Sequence, residues 1–337
     1  MPLLGLSNEI LLQILGQSDI LRPSDFCNVA RTCKRLSPLT EPLLYREIRD
    51  SPDEIWVPRG WKLSSRLAYI IKKFNDNPGR AVWVRSAAFA FDPYRAEWSA
   101  AIVDLLSKCT SIHTLSLRYG SIYGKYYDRS ARSQENLNFE YFLDRLSVEN
   151  LSSLTLDDCR LTIKDVARAI SLPNLTHLRI NRYDTMISDV LNLSPEATYS
   201  PTKLKKLEFR FCGIPAGPYV EPLLMNHPGL EDFTWIVDFG VAILSLGHER
   251  AIQPAFLSIM STVTACYLTV IEPVGLVPWG CRITFDFSHF KVLKVLKVHD
   301  RWLFGPPSLD KKHYDRCLLP STLPQSIEDL TVSSLIS

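Results

Sequence analysis

The feature that most constrains this chain is a short apolar unit that recurs along most of its length. One full copy places Leu151, Leu154, Leu156, Cys159 and Leu161 at offsets 1, 4, 6, 9 and 11. A second repeats those offsets with Leu204, Leu207, Phe209, Cys212 and Ile214. Shorter copies are Ile112/Leu115/Leu117, Leu175/Leu178/Ile180, Leu230/Phe233/Trp235, Leu293/Leu296/Val298 and Ile327/Leu330/Val332. The most degenerate are Val84/Ala87/Phe89 and Ala265/Leu268/Val270. The alternation within each copy is that of a strand with one buried face. The central residues are 87, 115, 154, 178, 207, 233, 268, 296 and 330, in steps of 28, 39, 24, 29, 26, 35, 28 and 34. A strand so short cannot bury its apolar side chains alone. Units returning at this interval stack, so that their strands form one parallel sheet. Helical returns are visible between them at 98–108, 139–145, 163–170 and 220–225.

The two full copies resemble the leucine-rich-repeat template Leu-x-x-Leu-x-Leu-x-x-Asn/Cys-x-Leu. That resemblance implies an irregular solenoid over residues 81–337, its long steps marking inserted loops.

The first fifty residues are different. Leu6, Ile10, Leu11, Ile14 and Leu15 recur at helical spacing and make a wide apolar stripe. Ser7 is placed to cap that helix, and Glu9 lies in its first turn, where a carboxylate favours the positive helix end. Pro23, Ser24 and Asp25 start a second helix carrying Phe26, Val29, Ala30 and Cys33. A third apolar set comes next in Leu36, Leu39, Leu43, Leu44 and Tyr45, punctuated by Pro38 and Pro42. Three short helices in fifty residues bury little surface by themselves.

The order Leu6, Glu9-Ile10-Leu11, Ile14-Leu15, then Val29 to Leu36, then Glu41-Pro42-Leu43-Leu44-Tyr45 resembles an F-box. The resemblance implies docking onto a Skp-family adaptor and, through it, a cullin scaffold. The adaptor-binding residues it implies are Leu6, Ile10, Leu11, Ile14, Leu15, Val29, Cys33 and Leu36. The expected fold is thus α/β: an N-terminal three-helix F-box over 1–50, then a linker and packing helix over 51–80 that includes Trp56 and Trp61. The irregular leucine-rich-repeat solenoid with its parallel sheet occupies 81–337.

Composition limits the partners. The chain has 337 residues, 46% of them hydrophobic and 22% charged, which is globular rather than disordered. Its 38 basic and 36 acidic side chains leave a net charge of +2, so charge gives no footprint for nucleic acid or an anionic membrane. The eight cysteines form no Cys-x-x-Cys pair and no zinc-like grouping with histidine. With no basic, uninterrupted apolar leader at Met1, the expectation is a protein of the cytoplasm or nucleus with mostly buried, reduced thiols. The chargeless run 252–271 is long enough to span a bilayer. Its Gln253, Pro254 and scattered Ser and Thr fit a buried helix followed by a strand.

No nucleotide-binding loop, metalloprotease helix or nucleophile elbow is present in the sequence. Asp238-Phe239-Gly240 lacks the other parts of a kinase. No cofactor and no enzymatic activity are expected. Binding is better supported. Side chains between the apolar positions of each strand point to the opposite face. The repeat register puts Arg118, Asp157, Arg179, Glu208, Arg210, Lys297 and His299 there as candidate target-binding residues. Three arginines in a column suit an acidic or phosphorylated segment, although Asp157 and Glu208 offset part of their charge. The expected function is the substrate-recognition subunit of a cullin-type ubiquitin ligase. The alternative is a leucine-rich scaffold acting outside any ligase, which requires Leu6, Ile10 and Ile14 to be buried against the rest of the chain.

Overall fold

The computed structural model describes residues 5–16, 23–50, 65–91, 96–119, 139–146, 148–157, 163–181, 203–212, 229–238, 258–271, 286–300 and 323–333, with Leu224, His227, Phe256 and Leu303. The chain divides into two compact units, 1–151 and 152–337. Trp56 and Trp61, the template positions Leu161 and Ile214, the motif residues Phe239 and Gly240, and all of 220–225 except Leu224 lie outside the described residues.

The first unit opens with three helices, α1 (Asn8–Gly16), α2 (Pro23–Thr32) and α3 (Ser37–Tyr45). Ser7 caps α1 as expected, its Oγ accepting from the Ile10 N–H at 3.5 Å. Pro38 falls in the first turn of α3, where its missing N–H costs nothing. Pro42 lies inside that helix rather than ending it. The chain then runs straight into a strand, β1 (Glu47–Asp50), which has no counterpart among the expected repeats. After it come α4 (Ser65–Asp76), a 3-10 turn (Pro78–Trp83), β2 (Ser86–Phe91), α5 (Ala96–Lys108), β3 (Thr114–Tyr119) and α6 (Phe139–Arg145). Strands β1, β2 and β3 are parallel, with Ile48, Ala87 and Leu115 in register.

The second unit holds β4 (Ser153–Asp157), α7 (Ile163–Ile170), β5 (His177–Asn181), β6 (Lys206–Cys212), β7 (Asp232–Asp238), β8 (Ala265–Ile271), β9 (Val295–His299) and β10 (Asp329–Ser333). Its strands are laid down in sequence order, every pair parallel. The register aligns Leu154, Leu178, Leu207, Phe233, Cys266, Leu296 and Leu330. Return helices α6 and α7 have the bounds that periodicity predicts.

One register is corrected. Cys266, not Leu268, stands at the central position of β8, so the buried set there is Val263/Cys266/Leu268. A cysteine behaves as a small hydrophobe and is poorly distinguished from the polar positions beside it in sequence. The described residues of the run 252–271 include a helical turn at Ser258–Ile259 and then β8. No helix among the described residues is long and apolar enough to cross a membrane.

The stacking is visible in both backbone and core. The Arg46 carbonyl accepts from two successive N–H groups of the next strand, those of Arg85 and Ser86, at 2.9 and 3.1 Å. Carbonyls of Arg85, Ser152, Thr176, Lys205, Glu231, Thr264 and Lys294 do the same for later strands. Beneath them the apolar triplets from Val84/Ala87/Phe89 to Leu293/Leu296/Val298 are buried. Where leucine gives way to aromatics, the ladder becomes a ring cluster: Trp235 stacks on Phe256 at 6.2 Å, and Phe233 meets Phe256 edge-on at 5.4 Å. Burial ends at β10, where Leu330 and Val332 are 38% and 41% exposed.

Candidate functional site

Two surfaces carry the candidate residues. The first is α1 with its neighbours. On a helical projection the apolar residues of α1 span an arc of roughly 200°, about twice what one core face requires. The structure shows why. Leu11 and Leu15 turn inward, at 1% and 7% exposure, and Phe26 and Leu36 of the neighbouring segments are buried as well. Ile10 and Ile14 flank that buried line on one side and Leu12 on the other, at 45%, 43% and 39% exposure. Leu6, Val29 and Cys33 are half-buried. The eight expected adaptor-binding residues therefore divide. Leu11, Leu15 and Leu36 hold the helices together, and Ile10 and Ile14 face outward. Leu12 joins the outward set; the width of the arc was its only sequence signal.

The helices are locked in place by polar contacts. Arg35 Nη2 donates to the Leu6 carbonyl at 2.7 Å and to Asn8 Oδ1 at 3.0 Å, tying the start of α1 to the α2–α3 link. Thr40, fully buried, donates to the Leu36 carbonyl at 3.1 Å. From α3, Tyr45 packs against Phe74 of α4 at 5.5 Å and Trp83 at 6.3 Å. Arg80 Nη2 lies 2.6 Å from Glu41 Oε1, and its guanidinium stands 5.8 Å from the Tyr45 ring. Through α3 the three helices are thus joined firmly to α4 and the 3-10 turn of the first unit.

The second surface is the polar face of the strands in the second unit. Glu208 on β6 is fully buried, yet three cationic side chains and one imidazole converge on its carboxylate. His177 Nε2 lies 2.9 Å from Oε1, Arg179 Nε 2.9 Å from Oε2, Lys206 Nζ 3.3 Å from Oε1 and Arg210 Nη2 2.7 Å from Oε2. Burial alone pushes this carboxyl up; hydrogen bonds from His177 and Arg179 and the two guanidinium charges outweigh it and hold the group well below the usual carboxylate range. Lys206 also meets Asp232 of β7 at 2.8 Å.

Of the expected target-binding residues, Arg179, Glu208 and Arg210 are brought together here, with Glu208 as the buried centre rather than a surface contact. Asp157 accepts from Asn181 Nδ2 one strand beyond Arg179. Lys297 sits over the Tyr267 ring at 5.4 Å, three strands from Glu208. His299 is buried at 3% exposure against Asp300, with Nδ1 to Oδ1 at 2.9 Å, and is not a surface residue. Arg118 is half-buried on β3 of the first unit. His177 and Lys206, which complete the shell of Glu208, carry the same alternation signal as the arginines.

Of the four cysteines whose side chains are described, Cys109 and Cys266 are buried, Cys33 is half-buried and Cys27 is exposed. Among the described residues no group of His, Cys, Asp and Glu is placed to hold a metal ion.

Residues 8–51 match the F-box-like family. The first three helices and β1 are therefore an F-box-like domain, a class that generally binds Skp-family adaptors. No curated protein matches the chain.

Proposed function

We propose that this chain is the substrate-recognition subunit of a cullin-type ubiquitin ligase. The F-box-like domain holds a Skp-family adaptor, and the adaptor connects the chain to a cullin scaffold. The strands beyond it form an irregular leucine-rich-repeat solenoid whose polar face binds the target protein. The chain itself does no chemistry in this reading: it raises the effective concentration of target near a ubiquitin-charged enzyme supplied by other subunits.

The observation that carries the reading is the outward line of Ile10 and Ile14, with Leu12 on the other flank, in a segment that matches the F-box-like family. Large aliphatic side chains exposed in a row on a well-packed helix mark an interface. The alternative, a scaffold using these helices only for internal packing, requires Ile10 and Ile14 to be covered by the chain itself, and their exposure weighs against it.

The test is co-expression with a Skp-family adaptor, then pull-down and size-exclusion chromatography. Ile10→Asp with Ile14→Asp is the informative double change, because both side chains lie outside the core. The expected result is a one-to-one complex with the wild type and none with the variant, both chains remaining folded. A folded wild type that forms no complex overturns the reading.

A further inference from the structure

We propose that the outer edge of β10 is a self-pairing surface, through which two copies of this chain join their β10 strands antiparallel about a twofold axis at Thr331. The inference does not draw on the ligase reading.

The first support is an open edge. Among the described residues the sheet ends at β10, which pairs with β9 on one side only. Leu330 and Val332 stand in register with Leu296 and Val298. The β9 residues are 0% and 1% exposed, whereas those of β10 are 38% and 41% exposed. The apolar rows of the core thus run into β10 and lack a cover on its far side. The backbone is open there as well. Asp329 donates its N–H to the Lys294 carbonyl on the β9 side. Backbone direction alternates along a strand, so Thr331 and Ser333 also turn toward β9, while Leu330 and Val332 turn N–H and C=O outward. Such edges template pairing with another chain unless Lys, Pro or a bulge blunts them. Residues 329–333 contain neither Lys nor Pro and keep an unbroken register with β9.

The second support is that β10 is complementary to itself. With Thr331 opposite the partner's Thr331, Leu330 falls opposite the partner's Val332 and Val332 opposite the partner's Leu330. These are the residues whose backbone groups point outward, so each couple exchanges both of its N–H···O bonds. Their side chains share the core face, and each aliphatic row gains an aliphatic neighbour. On the other face two β-branched threonines meet at the axis. Asp329 falls opposite the partner's Ser333, whose hydroxyl can donate to the carboxylate. A slip of two residues toward the N-terminus would instead set Glu328 against the partner's Val332, a charge against an apolar side chain.

Charge permits the pairing. Glu328 is engaged by Lys294 at 2.9 Å within its own copy. The two Asp329 carboxylates lie at opposite ends of the strand pair, roughly 14 Å apart, beyond the screening length of about 8 Å at physiological salt.

The test is sedimentation of the full chain from about 1 to about 100 µM, over which mass should rise from 38.4 kDa to twice that value. Val332→Lys changes a side chain already partly in solvent and should weaken self-association at least about tenfold. Thr331→Cys should become a covalent dimer on mild oxidation with diamide, because opposite residues at such a site have Cα atoms about 4.5 Å apart. Asp329→Cys alone should link no more than the wild type with its exposed Cys27, but should link when mixed with Ser333→Cys. Circular-dichroism melts establish that each variant is folded. A single-copy mass at every concentration overturns the proposal. Masses that grow beyond the dimer mean head-to-tail strand addition and overturn the twofold pairing. A dimer that folded Val332→Lys leaves intact, or that Thr331→Cys does not link, sits on another surface and overturns it too.

Discussion

Arg179 holds Glu208 with two parallel bonds across the β5–β6 pair, Nε to Oε2 at 2.9 Å and Nη2 to Oε1 at 3.0 Å. The carboxylate is fully buried and the guanidinium is one-third exposed. This asymmetry sets what each deletion costs. Removing Glu208 leaves cations that can rehydrate at their outer edges. Glu208→Ala should therefore destabilise the protein by about 2 kcal/mol, below the range for a pair buried on both sides. Removing the attraction of the surrounding side chains is a different matter, because an unpaired buried carboxylate cannot reach water. The measurement is the urea midpoint of Glu208→Ala against wild type, with an unchanged m-value.

Acid should unfold the second unit in two overlapping stages. His227 is buried at 1% exposure, and burial pushes its imidazole down to about 4 from the ordinary 6.5. The unfolded chain therefore binds the proton first. The stability held by neutral His227 is complete above pH 6.5 and is lost as pH falls from 6.5 to about 4, on the order of 3 kcal/mol at the lower end. Glu208, whose carboxyl is depressed, acts lower: its contribution is full above its ordinary value of 4.5 and is lost as pH falls below that. Urea midpoints at pH 7, 5.5, 4.5 and 3.5 should fall steadily for wild type. His227→Gln should flatten the upper part of that curve and leave the part below pH 4.5 in place.

The chain shows its strands in sequence wherever three apolar residues fall in the right order, as from Leu175 to Ile180 or Leu293 to Val298. It hides them where one position is filled by something else. β1 has a single buried apolar residue, Ile48, between Glu47 and Arg49, so no triplet announces it. It is a strand because β2 lies beside it and the Arg46 carbonyl takes both N–H groups at the start of β2. In β8 the cysteine at the central position made Leu268 look like the centre. The polar face was legible only as alternation. That pattern places Glu208 among exposed residues and cannot tell that four neighbours close over it, because two of them come from the adjacent strand and two from two residues either side. On α1 the pattern marks apolar residues without saying which of two faces each serves.

Glu41 and Arg80 join α3 to the turn after α4 at 2.6 Å, with both side chains partly shielded, at 35% and 22% exposure. The Arg80 guanidinium lies over the Tyr45 ring, which itself packs on Phe74 and Trp83. A double-mutant cycle of Glu41→Gln and Arg80→Gln should give a coupling of about 0.5–1 kcal/mol, the upper part of the range for pairs that retain solvent access. Tyr45→Ala should cost more, about 3 kcal/mol, because it removes two ring contacts and opens a space beneath Arg80. Thermal melts of the four cycle proteins and of Tyr45→Ala check both values.

Leu11 and Ile14 sit three residues apart on α1 and serve opposite sides of it. Leu11 is 1% exposed, whereas Ile14 is 43% exposed. Leu11→Ala deletes buried atoms from a unit with a small core, so it should lower stability by about 3 kcal/mol. Any loss of adaptor binding it causes should recover when the temperature is lowered enough to restore folding. Ile14→Ala should leave stability within about 0.5 kcal/mol. It should weaken adaptor binding by about 1–2 kcal/mol at every temperature where the protein is folded, as expected for an aliphatic side chain inside an interface. Circular-dichroism melts and calorimetric titration with the adaptor separate the two effects. If Ile14→Ala melted early while Leu11→Ala did not, the inward and outward faces of α1 would be reversed, and the adaptor would have to bind through the line now buried.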